Sequence, residues 1–300
     1  MRKICLIVTF LHSAFGAFSA CDFAAAEPNA FVYPIAVAVD TGDAKDFGGD
    51  TLFVVDLELP GVWQVTARDK QVFVRGSETF RRPLNRPRCV AIHPGGGVLV
   101  GDSATREVYH VTAKDAEPKP LSGGRIGVPM AIAVSPDARF VYVADAEKRA
   151  VVKLPIDGGP PQWVARVNGR GLSFLDDQTL AVLTPDDEAI RLIDVSQPAA
   201  DGPQTIVDDP PNVTVLLDQR PLRFPGGMTR DDGGLVVSDT YAGTVHRVDD
   251  SGRLTKLIGD EALQGPTGIA RGTGVIWVAD PPADAVIAFD ADGNVVQTYR

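Results

Sequence analysis

The chain has 300 residues, of which 30 are glycine and 23 proline. That load excludes a mainly helical protein, because each such residue inside a helix costs about 1–3 kcal/mol. Hydrophobic residues make up 44% and charged residues 23%, the balance of a packed globular chain, while three cysteines are too few for a disulfide scaffold. With 29 basic against 39 acidic side chains and a net charge of −10, the chain lacks the basic surface that nucleic-acid binding requires.

Residues 1–26 read as an export leader: Arg2 and Lys3, an apolar run from Ile4 to Phe18, then small residues. His12 and Ser13 interrupt the run, which is too short for a comfortable membrane span. Two processing routes are open. The Ala24-Ala25-Ala26 pattern predicts cleavage after Ala26, the preferred reading. The stretch Phe18-Ser19-Ala20-Cys21 is similar to a bacterial lipobox, with Phe where Leu is favoured, and would lipidate Cys21. Either route implies an exported protein, periplasmic or secreted, that meets a membrane only if lipidated at Cys21. Plain cleavage leaves Cys89, whose apolar strand predicts a small buried side chain.

The body, residues 27–300, is one pattern repeated. Units open at Pro34-IAVAV, Pro87-RCVAI, Pro129-MAIAV, Gly169-RGLSF, Pro225-GGMTR and Pro266-TGIAR. A turn and a second apolar strand follow, ending at Asp56, Asp102, Asp145, Thr184, Asp239 and Asp280. Six residues further stand Val62, Val108, Val151, Ile190, Val245 and Val286. Nine residues further stand Val65, Val111, Leu154, Ile193, Val248 and Phe289. Most units end in a weaker fourth strand, such as Leu254-TKLIG and Asn294-VVQTY. A four-stranded unit of about 45 residues cannot bury both faces of its own sheet, whereas radial stacking does so and limits exposed edges. The spacing predicts an all-β, six-bladed β-propeller filling residues 27–300, with blades at about 31–80, 84–124, 126–166, 167–222, 223–261 and 263–300. Ring closure is open, since residues 27–33 could complete the last blade or simply lead in.

The recurring P-x-x-I-A-V and V-x-V-A-D elements, each with Val six residues on, resemble the NHL-repeat family. Unit three, VPMAIAVSPDARFVYVADAEKRAVVKL, carries the likeness most fully. The resemblance implies a fold and leaves function open, because propellers host lyases, lactonases, sensors and docking platforms.

Departures from the repeat mark places to look for function. Unit one carries an acidic insertion, Asp40-TGDAKDFGGD. Unit four replaces both signature residues, with Gly169 for Pro and Thr184 for Asp, and is followed by an irregular stretch from Asp194 to Arg223. Long loops on repeats are functional lids or plain surface inserts, and the plain reading is preferred here.

The regularity of Asp56, Asp102, Asp145, Asp239 and Asp280 points to blade-end caps rather than catalytic carboxylates, which would be unique to one or two blades. Unit five, FPGGMTRDDGGLVVSD, resembles the P-D-G-M segment of gluconolactonase-type propellers, whose divalent-metal ligands follow the repeat proline. Here that position holds Gly226, and elsewhere Ile35, Arg88, Met130, Arg170 and Thr267, so no oxygen-ligand set is expected. His93, His110 and His246 fall at different registers and are not expected to converge on zinc, unlike the histidines of the related amidating lyases. No nucleophile elbow, Walker loop or dinucleotide fingerprint occurs, and Asn212-Val213-Thr214 is an accidental glycosylation match.

What remains at the inferred channel mouth is positive: Arg88 and Arg170, two blades apart. Guanidinium forks suit a carboxylate or phosphate, although each could instead pair with a neighbouring blade carboxylate. The expectation is therefore a non-catalytic binding propeller with no catalytic residue, no metal and no cofactor. Its partner would be a protein or a small anionic ligand at Arg88 and Arg170. The alternative is a divergent hydrolase, lactonase or lyase of the same fold.

Overall fold

The computed structural model describes residues 30–79, 82–197, 210–259 and 261–300. The leader with Cys21, and residues 198–209 of the long insert, lie outside the described residues. The rest forms six antiparallel sheets, each of four strands consecutive in sequence and paired in chain order. The inner strands are Pro34–Asp40, Pro87–Ile92, Pro129–Val134, Gly171–Phe174, Pro225–Asp231 and Ile269–Arg271. Each touches the inner strand of the blade on either side, and the last touches the first, so the ring is closed.

Burial falls from the second strands outward, and the sequence of each layer follows it. The second strands Leu-Phe-Val-Val-Asp of Thr51–Asp56 and Ile276–Asp280 are buried almost throughout, because a neighbouring blade covers each face. The outer strands Val213–Leu217, Leu254–Ile258 and Val295–Tyr299 are mostly half-buried or exposed. Apolar burial is divided among six clusters, each between two adjacent blades. The axis of the ring is left to a cavity.

Three features of the units take their meaning from this arrangement. The irregular stretch from Asp194 to Arg223 contains the outer strand of blade four, Val213–Leu217. Asn212 of the glycosylation match is buried, its amide 3.4 Å from the Val164 carbonyl. The acidic insertion of blade one ends in Asp50, which is 2% exposed at the seam with blade six. Its carboxylate accepts from the Thr273 amide (3.0 Å), the Thr273 hydroxyl (2.7 Å) and the Trp277 indole N–H (3.1 Å). No strand is exchanged between the first and last blades among the described residues. The seam is instead held by this clasp, by the Gly268 amide on the Ile35 carbonyl (3.0 Å), and by Phe31, Trp63 and Trp277 in one apolar cluster.

Candidate functional site

In five of the six blades a clamp precedes the inner strand. Asp56 accepts from the amides of Val32 (2.9 Å) and Tyr33 (3.0 Å), and Asp102 from those of Asn85 and Arg86 (both 2.9 Å). Asp145 holds Gly127 and Val128, Asp239 holds Arg223 and Phe224, and Asp280 holds Gln264 and Gly265. In every case the donors are the two residues before the repeat proline. Proline follows because it has no N–H left to satisfy. In blade four Thr184 caps only its own turn, donating to Glu188 O (2.8 Å) and accepting from the Asp186 amide (3.2 Å).

The residue after the proline is set out of the ladder. In blades one to three the pairing with the second strand slips between Pro34 and Ala36, Pro87 and Cys89, and Pro129 and Ala131, leaving Ile35, Arg88 and Met130 as extra residues. A bulge of this kind re-aims its side chain. Ile35, Arg88, Met130, Arg170, Gly226 and Thr267 all line the axial cavity, whose volume is about 620 Å³.

The charge on that wall is one-sided. Three arginines line it, Arg88, Arg170 and Arg271, and among the described lining residues there is no Asp or Glu. Arg88 donates from Nε to the Ser103 hydroxyl (3.1 Å). Arg170 reaches the Met130 sulfur at 3.8 Å and lies 6.0 Å from the Phe224 ring centre, while its buried Nε has no partner. Neither guanidinium has a carboxylate partner among the described residues. The alternative that both are absorbed by blade carboxylates is thus not what the structure shows. Arg271 differs, since it is bonded to Asp232 at 2.8 Å.

Sequence reasoning missed the aromatic rim. Phe224 and Tyr241 stack at 4.6 Å, Tyr241 is 71% exposed, and both line the cavity together with Tyr33 of blade one. A signal was available, because Tyr241 stands two residues past its blade Asp, where other units carry Glu58, Ala104, Glu147 or Pro282.

The residues after the repeat prolines do not fit a hard divalent cation. Two are cationic and only Thr267 offers a side-chain oxygen, which already donates to Ile35 O (2.9 Å). At Gly226 a Cβ would meet Thr240 Oγ1 at 2.7 Å and Ser238 Oγ at 2.9 Å, so the side chain of a ligand Asp has no room there. None of the five blade-end aspartates lines the cavity. Among the described residues no cluster of three or more His, Cys, Asp or Glu is arranged to hold a metal.

The histidines do meet in part. His93 and His110 stack at 3.7 Å within blade two, whereas His246 sits in blade five beside Thr244. His93 Nδ1 accepts from the Gly95 amide (3.0 Å) and His110 Nε2 lies 2.9 Å from Gly96 O. Stacked rings offer each other faces rather than lone pairs, so the pair holds no common ion. Burial, then the adjacent His110, lowers the His93 pKa. Cys89 is 5% exposed, and burial pushes its thiol up to about 12, well away from a reactive thiolate.

No protein-family model matches this sequence, and no curated protein matches it as a relative. Solved structures do share the fold. A chain of a nidogen/laminin complex is 17% identical at a TM-score of 0.65, covering 85% of this chain and 91% of that one. A gluconolactonase from Xanthomonas campestris is 18% identical at 0.64, covering 85% of each chain. Virginiamycin B lyase from Staphylococcus aureus is 15% identical at 0.60, covering 89% and 84%. At these identities the likeness extends to the six-bladed architecture and no further.

Proposed function

We propose that this chain is an exported, NHL-type binding propeller without catalytic activity, which recognises an anion at the mouth of its axial cavity through Arg88 and Arg170. The observation that carries the reading is the sign of the wall: three arginines and no described carboxylate, in a chain whose net charge is −10. A guanidinium with no internal counter-ion is a free fork for a carboxylate or phosphate. Charge-assisted hydrogen bonds contribute about 1.5–3 kcal/mol each. Titration calorimetry with small carboxylates and phosphates should therefore show binding that Arg88→Gln and Arg170→Gln each weaken by roughly tenfold or more. Affinities unmoved by both changes would sink the reading.

The lactonase and the lyase among the structural neighbours favour a second reading, a divergent hydrolase or lyase. It requires turnover of lactones at the same cavity, measurable as acid release and abolished by Arg88→Gln or Arg170→Gln. Export is tested separately by mass spectrometry of the mature N-terminus, which distinguishes cleavage after Ala26 from lipidation of Cys21.

A further inference from the structure

The axial cavity is layered, and its second layer says more than its first. Two residues past the mouth position stand Val37, Val90, Ile132, Leu172, Met228 and Ile269, one from each blade, and all six line the cavity. They occupy equivalent positions on the six inner strands, so these six form one layer around the axis below Arg88 and Arg170. Their exposures run from 5% to 9%, whereas Val54, Val100, Val143, Val182, Val237 and Val278 on the second strands are all 0% exposed. Each of the six packs into the apolar cluster between two blades, and the small surface it retains borders the cavity. The positions between carry small residues, Ala36, Cys89, Ala131, Gly171, Gly227 and Gly268, which let the strands close in around the axis.

Resting on the anion-binding reading above, we infer that the ligand is amphipathic: an anionic head held by Arg88 and Arg170, with an apolar body passing through the ring of six into the cavity. A purely hydrophilic anion would leave this ring in contact with water or empty space. A neutral apolar ligand would leave two guanidiniums unpaired. The head lies at the Arg88 and Arg170 end because Arg271, lining the cavity farther along its strand, already has a carboxylate partner in Asp232. A cavity of about 620 Å³ is the size of a small-molecule site. The stacked Phe224 and Tyr241 continue the apolar surface at the rim.

The test is a homologous series of straight-chain carboxylates, from acetate to dodecanoate below their micellar concentrations, with the matched alcohols and inorganic phosphate alongside, titrated into the purified protein. Affinity should rise about fourfold per added methylene until the cavity is filled. Each acid should bind at least tenfold more tightly than its alcohol, and Arg88→Gln with Arg170→Gln should close that gap. Leu172→Phe and, from the neighbouring blade, Ile132→Phe should each move the plateau to shorter chains; thermal melts identify which of the two is folded. Affinity that is flat with chain length, with acetate or phosphate bound as tightly as dodecanoate, overturns the amphipathic assignment and leaves the anion site standing. Alcohols bound as tightly as acids, with both glutamine variants indifferent, overturn the anion site itself. Absence of binding by every member overturns both.

Discussion

Asp145 and Asp280 close the same position in their blades, yet their carboxyls shift in opposite directions. For Asp145 burial pushes the pKa up, but the amides of Gly127, Lys148 and Val128 and the Lys148 ammonium, 3.2 Å away, outweigh it and the value is lowered. For Asp280 burial outweighs the amides of Gln264, Gly265 and Ala283, no cation assists, and the value is raised. A folded pKa below the unfolded one gives stability that is present above the unfolded value and lost as pH falls through the folded one. The raised group does the reverse, so ionised Asp280 carries a cost of burial at neutral pH. Asp145→Asn should therefore destabilise by roughly 2–3 kcal/mol at pH 7 and Asp280→Asn by only about 1 kcal/mol. Urea melts should show the difference shrinking as pH falls below the ordinary Asp value of about 4 and approaches the lower value at which folded Asp145 takes up its proton. Equal losses at pH 7 would contradict this account.

At the scale of the element, the inner strand is shaped by how closely its neighbours approach. A Cβ on Gly268 would lie 2.5 Å from Ala36 Cα and 2.8 Å from Ile35 O, both backbone atoms that cannot swing aside. Gly268→Ala should cost about 1–3 kcal/mol in chemical denaturation. Gly259→Ala, where nothing lies within 4 Å, should stay within about 0.5 kcal/mol. The alternation of small and large residues along these strands is plain in the sequence. The bulge that sets Arg88 and Met130 out of the ladder is not, because a bulge is a relation between two strands and leaves no mark on either alone.

The whole molecule depends on one seam that the chain does not cross covalently. Blades one and six meet through Asp50, a buried charge whose partners Thr273 and Trp277 are more than two hundred residues away along the chain. Asp50→Ala would leave the Trp277 indole N–H buried without an acceptor, a loss of roughly 1–3 kcal/mol. For a domain of this size that is a fall of several degrees in Tm. Amide exchange should quicken first along Ile269–Arg271 and Pro34–Asp40, the two inner strands at the seam. Uniform quickening over all six blades would mean that the clasp is an ordinary contact. The acidic insertion looked like a functional departure in the sequence; part of its role is this closure.

The sequence by itself determined the six-bladed architecture, because the signals that specify a blade lie within some 45 residues: the proline, the small–large alternation, the terminal Asp and the apolar residues at fixed offsets. It also placed Arg88 and Arg170 at equivalent positions, since register is a property of the repeat. Only the tertiary structure decided that neither arginine meets a carboxylate, that Phe224 and Tyr241 join them at one rim, and that six apolar side chains form a ring beneath. Those facts depend on which blades face one another across the axis. Such proximities arise when the ring closes, between residues whose spacing along the chain carries no information about their distance in space.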